Sequence, residues 1–191
     1  EKLAQGVISG PDLTPHQLDQ AVERLFEETR ALLAYRFGTK PEAIKKPLVD
    51  KNSVDRAKSV LSKTPGRWLL RLTALSNAVE GEPVMAELET YNTKRIFASG
   101  DMLAEKIINK GSSREEAEEM LFLMLRDVNL RAARDGVLRD PLSGNVGSID
   151  TAELMQTIED VTGARSDVRL RIYAAGDIYT EGPVKIRFEL K

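Results

Sequence analysis

Few side chains in this sequence are able to do chemistry, and their spacing excludes more than it suggests. His16 is the only histidine, and cysteine is absent. That removes thiolate nucleophiles, disulfides, iron–sulfur clusters and cysteine zinc sites together. A lone imidazole can act as a general base, but no serine stands in a Gly-x-Ser-x-Gly context to serve as its nucleophile. There is no Walker A sequence, no Gly-x-Gly-x-x-Gly fingerprint and no EF-hand loop. The inventory calls for no cofactor and no metal.

Three carboxylate groupings remain. Glu115, Glu116, Glu118 and Glu119 crowd the start of a helix opened by Ser112-Ser113, where negative charge complements the helix dipole. The stretch Asp140 to Asp150 offers Asp140, Ser143, Asn145 and Asp150 as oxygen donors. Leu142 sits where the alternate-residue pattern of a calcium loop needs a ligand, so turn structure is the better reading. Glu87 and Glu89 share a face if their segment is a strand, with nothing nearby to complete a site. Thirty carboxylates permit a paired-acid hydrolase without singling out any pair.

Basic charge is distributed less evenly. Residues 39–71 carry Lys40, Lys45, Lys46, Lys51, Arg56, Lys58, Lys63, Arg67 and Arg71 against Glu42, Asp50 and Asp55. Nine against three is a local excess of six in a chain whose net charge is −2. With two short helices joined around Thr64-Pro65-Gly66 this gives a helix-turn-helix-like outline, and Lys45, Lys46, Lys51, Arg56 and Lys58 become candidate phosphate contacts. The alternative is a basic surface paired with acids of the same molecule.

A second basic pattern closes the chain. Val168, Leu170 and Ile172 alternate with Arg169, Arg171 and Tyr173, and Val184, Ile186 and Phe188 alternate with Lys185, Arg187 and Glu189. As neighbouring strands these would place Arg169, Arg171, Lys185 and Arg187 with one tyrosine on a single exposed face. Such a face could stack a base and pair phosphates, stay solvated and protect an edge, or dock a partner.

The elements that must position these residues announce themselves by caps. Thr14-Pro15-His16-Gln17 is a capping box with proline at the first helical position, and Gly38 is the stop. Thr39-Lys40-Pro41-Glu42 suggests a short helix broken by Pro47, with another from Ser53 to Leu61. Thr64-Pro65 repeats the cap, and Trp68, Leu69, Leu72, Leu75 and Val79 follow at helical spacing to Gly81. Val84 to Tyr91 fits strand or helix, and Gly100 to Asn109 reads as a helix. Ser113 opens a long helix to Gly136 whose middle, around Met120 to Leu125, is apolar all round, as a central buried helix would be. Asp150 caps a helix that Gly163 stops, and residues 1–13 read as an arm or loop.

The expected fold is α+β: a predominantly helical body over 1–136, then a small helix plus antiparallel β-meander over 137–191, packed on the body or continuous with it in one domain. With 41% apolar and 30% charged residues the composition is globular. No apolar run reaches transmembrane length, and no signal peptide is evident over residues 1–30. The location expected is the cytoplasm or an extracellular assembly. The function expected is a non-catalytic interaction or assembly subunit, with other protein subunits, identical or different, as partners. Nucleic-acid binding through 39–71 is the alternative, and a carboxylate hydrolase ranks below it.

Overall fold

Thr14 accepts the Gln17 amide while the Gln17 side chain returns to the Thr14 amide. Pro15 occupies the first position, and Gly38, at φ 63°, ends helix α1 (Pro15–Phe37) in the left-handed conformation that glycine adopts without strain. The computed structural model to which this helix belongs describes residues 1–10, 14–140, 143–147 and 149–191. The chain divides into two compact units, Glu1–Thr93 and Lys94–Lys191.

In the first unit residues 2–10 are not an arm but a strand, β1 (Lys2–Gly10); residues 11–13 lie outside the described residues. β1 is the edge of a four-stranded sheet ordered β1-β3-β4-β2, with β2 (Leu48–Val49), β3 (Gly66–Ala74) and β4 (Met85–Asn92). The β1–β3 and β3–β4 pairs are antiparallel, and β2 runs parallel to β4. Leu18, Val22, Leu25, Phe26 and Leu33 of α1, and Ala57 and Leu61 of α2 (Lys51–Leu61), share one core with Trp68, Leu70, Leu72 and Leu88. Pro41–Ala43 forms only a 3-10 turn.

The helix expected from Trp68 to Val79 is replaced by β3, and the ambiguous segment after Val84 is β4. β3 lies between two partners, and Leu69, Leu70, Arg71 and Leu72 are all buried. A strand buried on both faces gives a continuous apolar run that hydrophobic spacing cannot distinguish from helix. The helix-turn-helix outline over 39–71 falls with it, because α2 is followed by a strand.

The second unit holds a three-stranded antiparallel sheet ordered β6-β7-β9, from β6 (Met102–Ile108), β7 (Val168–Ala174) and β9 (Ile186–Leu190). The helix expected over 100–109 is therefore β6. After a register shift between Met102 and Ala104, the strand sets Lys106 opposite buried Leu170 and leaves Ile107 exposed opposite Arg169, which hides the period-2 signal of a strand. Helices α3 (Arg114–Asp135) and α4 (Thr151–Thr162) pack on the sheet through Leu121, Met124, Leu154 and Ile158 against Leu170 and Ile172. β8 (Ile178–Tyr179) pairs not with β7 or β9 but with β5 (Arg95–Phe97), so the expected meander is a β7–β9 pair extended by β6.

The fold class is α+β, but the body is not predominantly helical: among the described residues both units are sheets covered by two helices each. The composition change at Gly136 falls inside the second unit, at the C-cap of α3, and Val137 and Val146 are part of its core. Among the described residues no helix is long and apolar enough to cross a membrane.

Candidate interaction surface

α3 begins with a capping box in which Ser113 accepts the Glu116 amide and Glu116 accepts the Ser113 amide, and it ends at Gly136 with φ 114°. Ala117, Leu121, Met124, Val128 and Ala132 recur at three- and four-residue spacing and face the core. The helix is not buried all round. Phe122, Leu123 and Leu130 are 57%, 36% and 52% exposed. These three side chains crowd the solvent side of a single helix, whereas scattered apolar exposure would be unremarkable.

Beside this face runs a groove of about 510 Å³. Phe122, Leu125, Val128 and Leu130 of α3 line it together with Val146, Ile149, Val184 and Ile186. Gly147, also in the lining, is bridged to Val184. A Cβ at residue 147 would meet the Val184 carbonyl oxygen at 2.4 Å, so only glycine permits the approach. Arg139 Nη1 donates to Asn129 Oδ1 at 3.3 Å and to the Gly144 carbonyl at 2.7 Å, while Asn129 Nδ2 donates to Asn145 Oδ1. These bonds tie the 139–147 segment to α3. The charged residues lining the groove, Arg126 and Arg139, are both cationic.

The basic residues of 39–71 are spread over several elements, and Lys46, Arg56 and Lys58 pair with acids of the same unit. Lys46 pairs with Glu23 of α1 at 2.6 Å and lies 4.7 Å from the Phe26 ring centre. Lys58 pairs with Asp19 at 2.9 Å, and Arg56 with Glu87 of β4 at 3.0 Å. Arg71 is buried, hydrogen-bonded to Gln5 and stacked near Tyr91. Lys45 and Lys51 are exposed.

On the terminal sheet Arg169, Arg171, Tyr173 and Arg187 do share a face, but it is not uniformly basic. β7's register sets Arg171 between Glu105 of β6 and Glu189 of β9. Arg171 Nε donates to Glu105 at 2.5 Å; Glu189 lies 3.7 Å from Arg187 and 3.1 Å from Lys191. Arg187 stacks on Tyr173 at 4.6 Å. The hydrogen bond from Arg171 holds Glu105 below the usual carboxylate range, and Lys191 does the same for Glu189. Lys185 precedes β9, is exposed, and uses its carbonyl to accept the Ala175 amide.

The remaining candidates have structural employment. His16 contacts Gln20 on exposed helix surface at 3.0 Å. Glu118 pairs with Arg114, Glu89 accepts from Thr73, and Asp140 and Asp150 cap the turn and the helix that follow them. Leu142 lies outside the described residues. Among the described residues no group of three or more His, Asp or Glu is placed to hold a metal ion.

What sequence reasoning missed is the exposed side of α3. Its signal was present in the run Met120 to Leu125, which holds more apolar residues than one helix face can bury.

No curated protein and no solved structure matches the chain. Residues 97–190, nearly the whole second unit and just under half of the sequence, are similar to the family described as a DUF3084-associated C-terminal helical hairpin, and the two helices of that span are α3 and α4.

Proposed function

We propose that this chain is a non-catalytic interaction subunit whose second unit engages a protein partner through the solvent side of α3 and the groove beside it. The observation that carries the reading is the exposure of Phe122, Leu123 and Leu130 on a helix whose other side is already buried. Leaving these side chains in water forgoes roughly 25 cal/mol for each Å² that a partner would cover. The ion pairs around Lys46, Arg56 and Lys58 lower the surplus positive charge that a nucleic-acid reading requires.

A photoreactive phenylalanine at Phe122, introduced in cells of the source organism, tests this. The expected result is an adduct of discrete mass, with the partner identified by mass spectrometry and lost on Leu130→Glu. The same probe at Tyr35, 87% exposed in the first unit, serves as the control. Equal labelling from both positions, or none from Phe122, rejects the reading.

A further inference from the structure

Six residues of α3 carry an internal symmetry that apolar exposure alone does not require. Glu119, Leu123, Arg126, Asp127, Leu130 and Arg134 lie within an arc of about 100° on the solvent side of the helix, at 100° per residue. In chain order they read acid, apolar, base, acid, apolar, base. Turn a second such helix antiparallel about an axis through the Arg126–Asp127 peptide. Leu123 then stands level with Leu130 of the copy, Glu119 with Arg134, and Arg126 with Asp127. The residue numbers of each pair share one sum, which is the condition for the contact of i with j to be repeated as j with i.

We infer that the occupant of this face is a second copy of the chain, joined by an antiparallel α3–α3 contact with two-fold symmetry. The inference rests on the interaction reading above and names its partner. Charge complementarity carries it: all three pairings unite opposite charges or two leucines. The mirror alternative, a parallel pair in register, would set Glu119 on Glu119 and Arg126 on Arg126. The charged members are available. Arg126, Asp127 and Arg134 have side chains 66%, 57% and 77% exposed, and their ion-pair contacts within the chain are to sequence neighbours, at 4.0 Å for Arg126–Asp127 and 3.4 Å for Arg134–Asp135. Antiparallel neighbours also set helix dipoles in their favourable relation. One helix pair covers less than the roughly 800 Å² per partner of a standard interface, so the association is a reversible one.

Because the chain lacks cysteine, oxidative cross-linking of the full chain reads the geometry directly. Leu123→Cys mixed with Leu130→Cys should give a disulfide dimer in yield well above either variant alone, because residue 123 faces 130 and not itself. Dimer of equal yield in the single-variant samples, or none in the mixture, overturns the inference. A charge exchange on exposed positions provides a second route that does not perturb packing. Glu119→Arg should weaken self-association in sedimentation equilibrium about tenfold, since the contact occurs twice. Glu119→Arg with Arg134→Glu should restore it. Failure of the double exchange to restore association overturns the inference. So does a chain that is monomeric at every concentration while its Phe122 probe still captures a different protein, an outcome that leaves the interaction reading standing.

Discussion

Ser53 shows how one side chain can join two elements. It is buried at the start of α2, where Asp50 accepts the Asn52 and Ser53 amides as the N-cap. Its hydroxyl donates to the Asp50 carbonyl at 2.7 Å and accepts the Leu88 amide of β4 at 3.1 Å. β2 is only two residues long and bonds β4 no further than Ala86, so the Leu88 amide has passed the end of its neighbouring strand. A buried amide must find an acceptor, and Ser53 supplies it. Ser53→Ala keeps the cap, whose donors are backbone, but leaves the Leu88 amide unsatisfied. The expected loss is about 1–3 kcal/mol, read from the urea midpoint. Asn52→Ala, on the exposed side of the same turn, should change stability by no more than about 0.5 kcal/mol. Equal effects from the two substitutions would dismiss the bridging role.

At the scale of elements, the β6-β7-β9 sheet displays a ladder of alternating charge across its open face. Glu105 and Glu189 both titrate below the ordinary value of 4.5, the first chiefly through its bond from Arg171, the second chiefly through Lys191. A carboxylate whose folded-state pKa is depressed adds stability above its unfolded pKa and loses it as pH falls through the folded one. Arg171→Gln should therefore lower the urea midpoint at neutral pH, and the gap to the parent chain should close once the carboxylates are protonated. A gap that stays constant from about pH 7 to about pH 2 would show that Arg171 acts through packing alone. This ladder was half legible in the sequence. The alternation of Val168 to Ala174 fixed β7 and its outward residues, and Glu189 stood in the terminal strand. But Glu105, the second acid opposite Arg171, comes from β6, which read as helix because Lys106 falls opposite a buried residue and Ile107 on the open face. Caps were the most legible signals: Thr14, Ser113 and Asp150 each open a helix, since a side-chain acceptor three residues from an amide is a local matter. β1 and β3 were not legible. Gly6, inside β1, weakens that strand's own preference. β3 becomes a strand through its pairing with β1 and β4, which its own hydrophobic spacing does not report.

For the whole molecule, the decisive feature is where the hydrogen bonding changes hands. The Thr93 amide donates to the Arg67 carbonyl within the first unit, and the next amide, Lys94, donates to Thr180 Oγ1 within the second. The buried clusters obey the same division: one draws only on residues up to Leu88, the other only on residues from Phe97. The turn-rich segment after Gly136 marks no boundary, because the Leu138 amide donates to the Thr180 carbonyl at 2.7 Å and returns the chain to its own unit. Each unit is of a size that can bury a core of its own without disulfides or metals, since independent domains begin at roughly 50–60 residues. Residues 94–191 expressed alone should therefore give a dispersed amide spectrum and a single cooperative urea transition. Their α3 surface, including Phe122 and Leu130, should retain whatever association the full chain has. Cleavage after Thr93 costs the second unit none of the bonds that hold β5 to β8, because Lys94 and Thr180 exchange theirs inside it. A fragment 94–191 that is unfolded while the full chain is folded would mean that the second unit's core is insufficient alone, and would move the functional module from the unit to the intact chain.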